Sequence, residues 1–201
     1  MASNSAVSYP TAYTTSGSIK GTRYKNAIGK GADTSAASGN DYCSSSGSYA
    51  HIYYSFDFSD IPADATIVSV ACQVKGHCES TSAGSRRARC QLYVGTSTAK
   101  GSYTDFSSTS AQTLTLDTGT WTRAEVDDLR LRFELGYYGG LINGATVTIT
   151  YEVGSKIYRY HKANGAWALD GEAEATYSKS GSWAEKDPSD LDTTADYATE
   201  E

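Results

Sequence analysis

The chain has 201 residues, of which 39% are hydrophobic, and a formal net charge of −6. That length suits one ordinary domain with an appendage, and no apolar run approaches the roughly 20 residues that cross a bilayer. The charge sits in the tail, where ten acids from Asp170 to Glu201 stand against Lys179 and Lys186, so no basic face argues for nucleic acid.

Nineteen glycines, three prolines and abundant Ser and Thr fit an all-β chain with many turns, and sixteen tyrosines supply much of its apolar area. The N-terminus lacks the basic and apolar regions of a secretory signal, so synthesis in a cytoplasm is expected. Residues 1–48 form an N-terminal arm and loop, with short strands over Val7–Thr14 and Thr22–Gly29 and a loop from Lys30 to Ser48. Tyr9, Tyr13, Tyr24 and Ile28 give this arm something to bury, against the following domain or a neighbour.

The β-sandwich core spans 49–153, with strands contributed from 1–48. From Tyr49 to Val74 two strands flank a corner fixed by Pro62, and together they supply one wall of a core. Ala50, Ile52, Tyr54, Phe56 and Phe58 share one face, opposite His51, Tyr53, Ser55 and Asp57; Val68, Val70, Cys72 and Val74 share a face of the second strand. A loop follows from Gly76 to Ser85, then a strand over Arg86–Gly95 with Ala88, Cys90, Leu92 and Val94 on one side. Thr96–Ser102 reads as a turn region and Ser110–Leu116 as a strand.

Thr122 followed by Glu125 is a capping box, which predicts a helix of at most about two turns, with Trp121 placed to staple onto Val126. The next strand puts Leu129, Leu131, Phe133 and Leu135 on one face and Arg130, Arg132 and Glu134 on the other. Gly136–Gly144 reads as a loop carrying Tyr137, Tyr138, Leu141 and Ile142. Ala145–Val153 closes the domain with Val147, Ile149, Tyr151 and Val153 inward. Seven or eight strands without a long helix make an antiparallel β-sandwich. A jelly roll is favoured over an immunoglobulin-type sandwich, whose Cys…Trp…Cys spacing is missing.

Residues 154–201 change character. Asn164-Gly165 between Ile157–Lys162 and Ala166–Leu169 is a hairpin signal. A weaker copy runs from Tyr177 to Trp183; both read Tyr-x-Lys, then Gly-x-Trp. Such hairpins cannot make a core alone, which points to Tyr158, Trp167 and Trp183 as docking or assembly residues. Lys186–Glu201 reads as an acidic, loosely held end.

The residues define no catalytic constellation: no nucleophile elbow, no phosphate-cradling loop, and an Asp57, Asp60 and Asp64 group better explained as a corner. No enzyme, cofactor or metal is expected; three histidines and four cysteines without a CxxC pair do not suit zinc. Cys72 and Cys90 read as buried thiols, and Cys43 and Cys78, in loop-like sequence, as the reactive or late-oxidising pair. Tyr53, Tyr137, Tyr138 and Trp167 would, if exposed, offer flat aromatic surfaces to sugars or protein partners. Alternatively Tyr53 lies on an inner sheet face and Trp167 packs the hairpins.

The stretches SFDFSDIPADATIVSV, QLYVGTSTAKGS, TLDTGTWTRAEVDDLRLRFEL and ATVTITYEV resemble a jelly-roll-like domain of virion proteins from tailed bacteriophages. The resemblance covers about Asn26 to Val153, and Gly119-Thr120-Trp121-Thr122 is its most distinctive piece. The C-terminal repeats look like the Lys/Gly/Trp hairpins of phage tail and appendage proteins. What this implies is a non-enzymatic virion surface protein, made in the host cytoplasm, serving as capsid decoration or as a tail or fibre adsorption module. Its partners would be other virion proteins and further copies of itself, a trimer by analogy, with neither nucleic acid nor membrane involved. The other reading is a carbohydrate-binding module for bacterial surface glycans.

Overall fold

The alternation of apolar and polar residues sets the layers of this protein. The structure, a computed structural model, describes residues 3–33, 43–45, 49–81, 88–136, 139–153, 157–163, 166–172 and 197–200, the last three segments as backbone alone. Two compact units are present, Ala2–Val153 and Gly154–Glu201.

The first unit contains β1 (Ser3–Ser8), β2 (Ala12–Ser16), β3 (Ile19–Lys20), β4 (Ser44–Ser45), β5 (Ala50–Ser55), β6 (Thr66–Cys78), β7 (Arg89–Val94), β8 (Thr98–Asp105), β9 (Gln112–Thr115), α1 (Arg123–Val126), β10 (Leu129–Leu135) and β11 (Gly140–Glu152). One sheet has the order β1-β11-β6-β9 and the other β2-β5-β10-β7-β8. Every pairing is antiparallel. Without the edge strand β2, the chain winds between the two sheets in the order of a jelly roll. The fold is thus an all-β antiparallel sandwich.

The core lies between the sheets. Ile52 and Tyr54 of β5, Leu92 of β7, Leu131 and Phe133 of β10 and Ile149 of β11 are fully buried there. Phe106 meets Phe133 edge to face with ring centroids 6.1 Å apart. The Tyr54 hydroxyl, too buried to reach water, donates to the Tyr24 carbonyl at 2.8 Å. Tyr24 lies in a 3-10 turn over Arg23–Ala27, where a strand was expected. The arm itself enters the sandwich: β1 pairs with β11 and β2 with β5, one edge strand for each sheet.

The stretch from Tyr49 to Val74 supplies two walls rather than one. β5 belongs to the five-stranded sheet and β6 to the four-stranded sheet facing it. The corner carries the chain across. Turns close from Phe58 to Ile61 and from Pro62 to Ala65, and Arg123 of α1 donates from Nη2 to the Ile61 carbonyl at 2.7 Å and from Nε to that of Pro62 at 3.0 Å. Asp57 Oδ1 accepts from the Ser59 amide at 3.0 Å, a turn role for that carboxylate.

α1 is a single turn with the expected capping box: the Glu125 amide donates to Thr122 Oγ1 and the Thr122 amide to Glu125 Oε2. Trp121 and Val126 are both buried in the core cluster, and the Trp121 indole donates to the Thr118 carbonyl at 2.6 Å.

Three loop expectations are corrected. β6 runs on to Cys78, β8 replaces the turn region after Thr96, and β11 begins at Gly140, so Leu141 and Ile142 are buried strand residues. Glycines and short polar residues suggested loops, but ladder pairing with neighbours satisfies their backbone groups instead. Gly76 is one case, since a Cβ there would come within 2.2 Å of the Leu141 carbonyl. Val68, expected inside, is 55% exposed at the end of β6 where the pairing with β11 shifts register between Thr150 and Tyr151.

Cys43 and Cys78 are also placed differently from expectation. All four cysteines are free and buried. Cys43 and Cys78 pair with Gly140 from opposite sides. Two ladder spacings of about 4.8 Å put them roughly 10 Å apart, beyond the ~7 Å that a disulfide spans.

In the second unit β12 (Ile157–Ala163) pairs with β13 (Ala166–Glu172) and with β14 (Tyr197–Glu200). Ala163 is the partner of Ala166, and Asn164 and Gly165 lie outside the described residues. The second predicted hairpin, Tyr177–Trp183, lies outside the described residues. Of the acidic end, Tyr197–Glu200 forms a strand, and the rest of Lys186–Glu201 lies outside the described residues.

Candidate functional site

The outer face of the five-stranded sheet gathers chemistry that lies far apart in the sequence; His51 and Glu134, which meet there, are 83 positions apart. Core-facing residues of β5, β7 and β10 are apolar, so the pleat turns His51, Tyr53, Arg89, Gln91, Tyr93, Arg130, Arg132 and Glu134 outward. Antiparallel register then lines them up in rows. Glu134 stands between His51 and Arg89, Arg132 between Tyr53 and Gln91, and Arg130 between Ser55 and Tyr93.

Glu134 is the centre. It is only 2% exposed, and its two oxygens are fully engaged. Oε1 accepts from Arg89, with Nε at 2.7 Å. Oε2 accepts from Arg132, from His51 Nε2 at 3.1 Å and from the Tyr103 hydroxyl at 3.3 Å. With Glu134 ionised, the His51 bond requires the ring proton on Nε2. Burial alone pushes the Glu134 carboxyl up, but the hydrogen bonds and charges of Arg132 and Arg89 outweigh it and hold the group below the usual carboxylate range. His51 is held below its ordinary value by burial and by the nearby Arg132, which favours the neutral ring. Burial and the Tyr93 hydroxyl push the Tyr103 phenol up.

Aromatic rings extend this network. Arg89 lies over Tyr103, 3.8 Å from the ring centroid, and 5.8 Å from that of Tyr49. Arg132 lies 4.8 Å from the Tyr93 centroid and bonds the hydroxyls of Tyr93 and Tyr103. Stacked guanidiniums are worth about 0.5–2 kcal/mol each and hold the rings in place. Tyr49 and Tyr103 remain 38% and 36% exposed. Two polar atoms of the face are buried and unbonded, Arg132 Nε and Gln91 Oε1. The amide of Gln91 is oriented by its Nε2, which donates to the Gly101 carbonyl at 2.8 Å. Leaving such groups unpaired costs about 1–3 kcal/mol each.

A carboxylate already accepting from two guanidiniums, an imidazole and a phenol is a poor proton acceptor, and with its pKa held low it carries no proton to donate near neutral pH. The arrangement suits a rigid binding surface. Among the described residues, no group of three or more His, Cys, Asp or Glu is placed to hold a metal ion.

Of the residues singled out for ligand binding, Tyr53 is corrected from an exposed aromatic to a buried one. It is 6% exposed, packs edge to face with Tyr93 and donates its hydroxyl to the Thr96 carbonyl at 3.4 Å. It is part of the outer face, in the row of Arg132 and Gln91, and not of the inner face considered as the alternative. Tyr137, Tyr138 and Trp183 lie outside the described residues. Tyr158 and Trp167 are placed through backbone pairing only, Tyr158 with Glu172 and Thr199 and Trp167 with Lys162. The polar alternation of Arg130, Arg132 and Glu134 was visible in the sequence. Arg89 stood out in the sequence only as part of the basic cluster Arg86-Arg87-Ala88-Arg89, with a solvated loop and strand entry favoured over an anion or partner contact; Tyr93, Tyr103 and Tyr49 were missed as site residues because only strand register brings them alongside.

No family model, no curated protein and no solved structure matches this chain.

Proposed function

We propose that this chain is a non-enzymatic surface module of a tailed-phage particle. Its jelly roll is displayed outward, and the outer face of the five-stranded sheet is its recognition surface. The observation that carries the recognition role is the Glu134 network: a saturated carboxylate locks two arginines under exposed tyrosines, which is preorganisation for binding. The virion setting rests on the resemblance of the Gly119–Thr122 segment and its neighbours to phage structural domains. An antibody raised to the chain should decorate intact particles purified from the lysate, and deletion of residues 154–201 should abolish incorporation if that unit docks. A chain found only in the soluble fraction of the lysate would sink the virion setting. It would favour the second reading, a free carbohydrate-binding module, for which the exposed Tyr49 and Tyr103 speak equally.

A further inference from the structure

We infer that the outer face of the five-stranded sheet binds an uncharged saccharide, seated on Tyr103 and Tyr49 across Arg89. This rests on the recognition role proposed above and names its ligand class.

Three observations converge on it. Tyr49 and Tyr103, both exposed, border the same guanidinium. Their rings offer apolar surfaces to the C–H face of a pyranose, and their neighbours offer directional polar groups to its hydroxyls. The charges of the face are compensated from within. Arg89 and Arg132 are bound by Glu134, Arg130 pairs with Asp128 at 2.6 Å, and Asp105 stands opposite Arg89 in the ladder. Counted over these described residues, three arginines stand against three carboxylates, Glu134, Asp128 and Asp105, so the described part of the face carries no net charge for an anionic ligand, and a cationic one finds no free carboxylate in the Glu134 position. Finally, Gln91 is 5% exposed yet its Oε1 has no partner. An acceptor held in place by its own Nε2 bond suits a donor as small as a hydroxyl.

A protein partner is less suited to this face. Val7, Val68 and Tyr9, the other exposed large hydrophobics among the described residues, belong to β1, β6 and the segment after β1, not to these strands. The exposed apolar surface of the face is thus confined to the Tyr49 and Tyr103 rings, small beside the roughly 800 Å² per partner of a stable protein interface.

The test is a glycan array carrying neutral and acidic saccharides, probed with the full chain, followed by titration of the best hit by calorimetry at 50 and 500 mM NaCl. Neutral glycans should bind, with Kd changing less than about twofold between the two salts. Tyr49→Ala and Tyr103→Ala should each weaken binding about tenfold or more, while Tyr103→Phe, which keeps the ring, should stay within about threefold. Circular dichroism of each variant establishes that it is folded. Binding confined to acidic glycans, or lost at high salt, would overturn the uncharged class while leaving the recognition role intact. Full affinity in both alanine variants would overturn the placement on Tyr49 and Tyr103. A folded chain that binds no glycan but captures a protein of the host envelope would overturn the saccharide inference alone. One that binds neither would overturn the recognition role as well.

Discussion

Replacing Glu134 by Gln keeps the shape of the side chain and removes its charge. The wild-type carboxylate is almost wholly buried and receives bonds from Arg89, Arg132, His51 and Tyr103. The substituted amide would accept through one oxygen and turn an N–H toward the guanidiniums. Breaking a buried ion pair by removing one partner typically costs about 3–5 kcal/mol. The side chain of Arg89 retains 28% exposure and that of Arg132 13%, so both guanidiniums regain some solvation and the lower figure, about 3 kcal/mol, applies. At roughly 2–4 °C per kcal/mol in a domain of this size, Tm should fall by about 6–12 °C, read by circular dichroism at pH 7. The pH dependence adds a second check. Glu134 has a depressed folded-state pKa, so its contribution is present above the unfolded value near 4.3 and is lost as pH falls through the folded value. The gap between wild type and E134Q should therefore hold from about pH 6 to 8 and close progressively below roughly pH 4.3. A Tm within about 2 °C of wild type at pH 7, or a gap that widens in acid, would refute the assignment of Glu134 as the anionic centre of the face.

The thiols should be inert in the folded chain, because burial pushes Cys43, Cys72 and Cys90 up and Cys78 is buried with its Sγ–H donating to the Ser108 carbonyl at 3.2 Å. Iodoacetamide at pH 8 should modify none of the four before denaturation and all four after it, as counted by mass spectrometry. Thr122→Ala should cost about 1 kcal/mol in urea denaturation by removing the cap of α1, and Thr122→Ser should restore most of it. Gly101→Ala should cost roughly 2–4 kcal/mol in the same assay. Its φ is +64° and a Cβ would lie 2.1 Å from the Asp117 carbonyl oxygen, so the residue must both leave a left-handed conformation and displace the backbone.

Much of the sandwich is written in period-two alternation. The inward residues of β5, β7, β10 and β11 follow from it because a pleat allows each side chain only two directions. The capping box of α1 is equally local, since Thr122 and Glu125 satisfy one another's amides within four residues. What failed was the treatment of glycine and short polar residues as loop. Gly76 and Gly140 have no room for a Cβ in their long strands because Leu141 and Phe106 crowd the one and Ala88 and His77 the other, a reason that lies in other parts of the sequence.

The candidate site divides along the same line. The sequence by itself determined that Arg130, Arg132 and Glu134 share a polar face, and that His51 and Tyr53 share another. Only the tertiary structure decided that these are one face, because that requires β5, β10 and β7 to be neighbours in a given register, with β8 bulging so that Tyr103 reaches Glu134. It also decided that Tyr53 is covered while Tyr49, further back along the same side of the chain, is 38% exposed. Periodicity is a property of one strand and burial of an outward residue is a property of its neighbours. The sequence of β5 therefore fixes which way Tyr53 points, and the rings and guanidiniums of β7 and β10 fix whether a ligand can touch it.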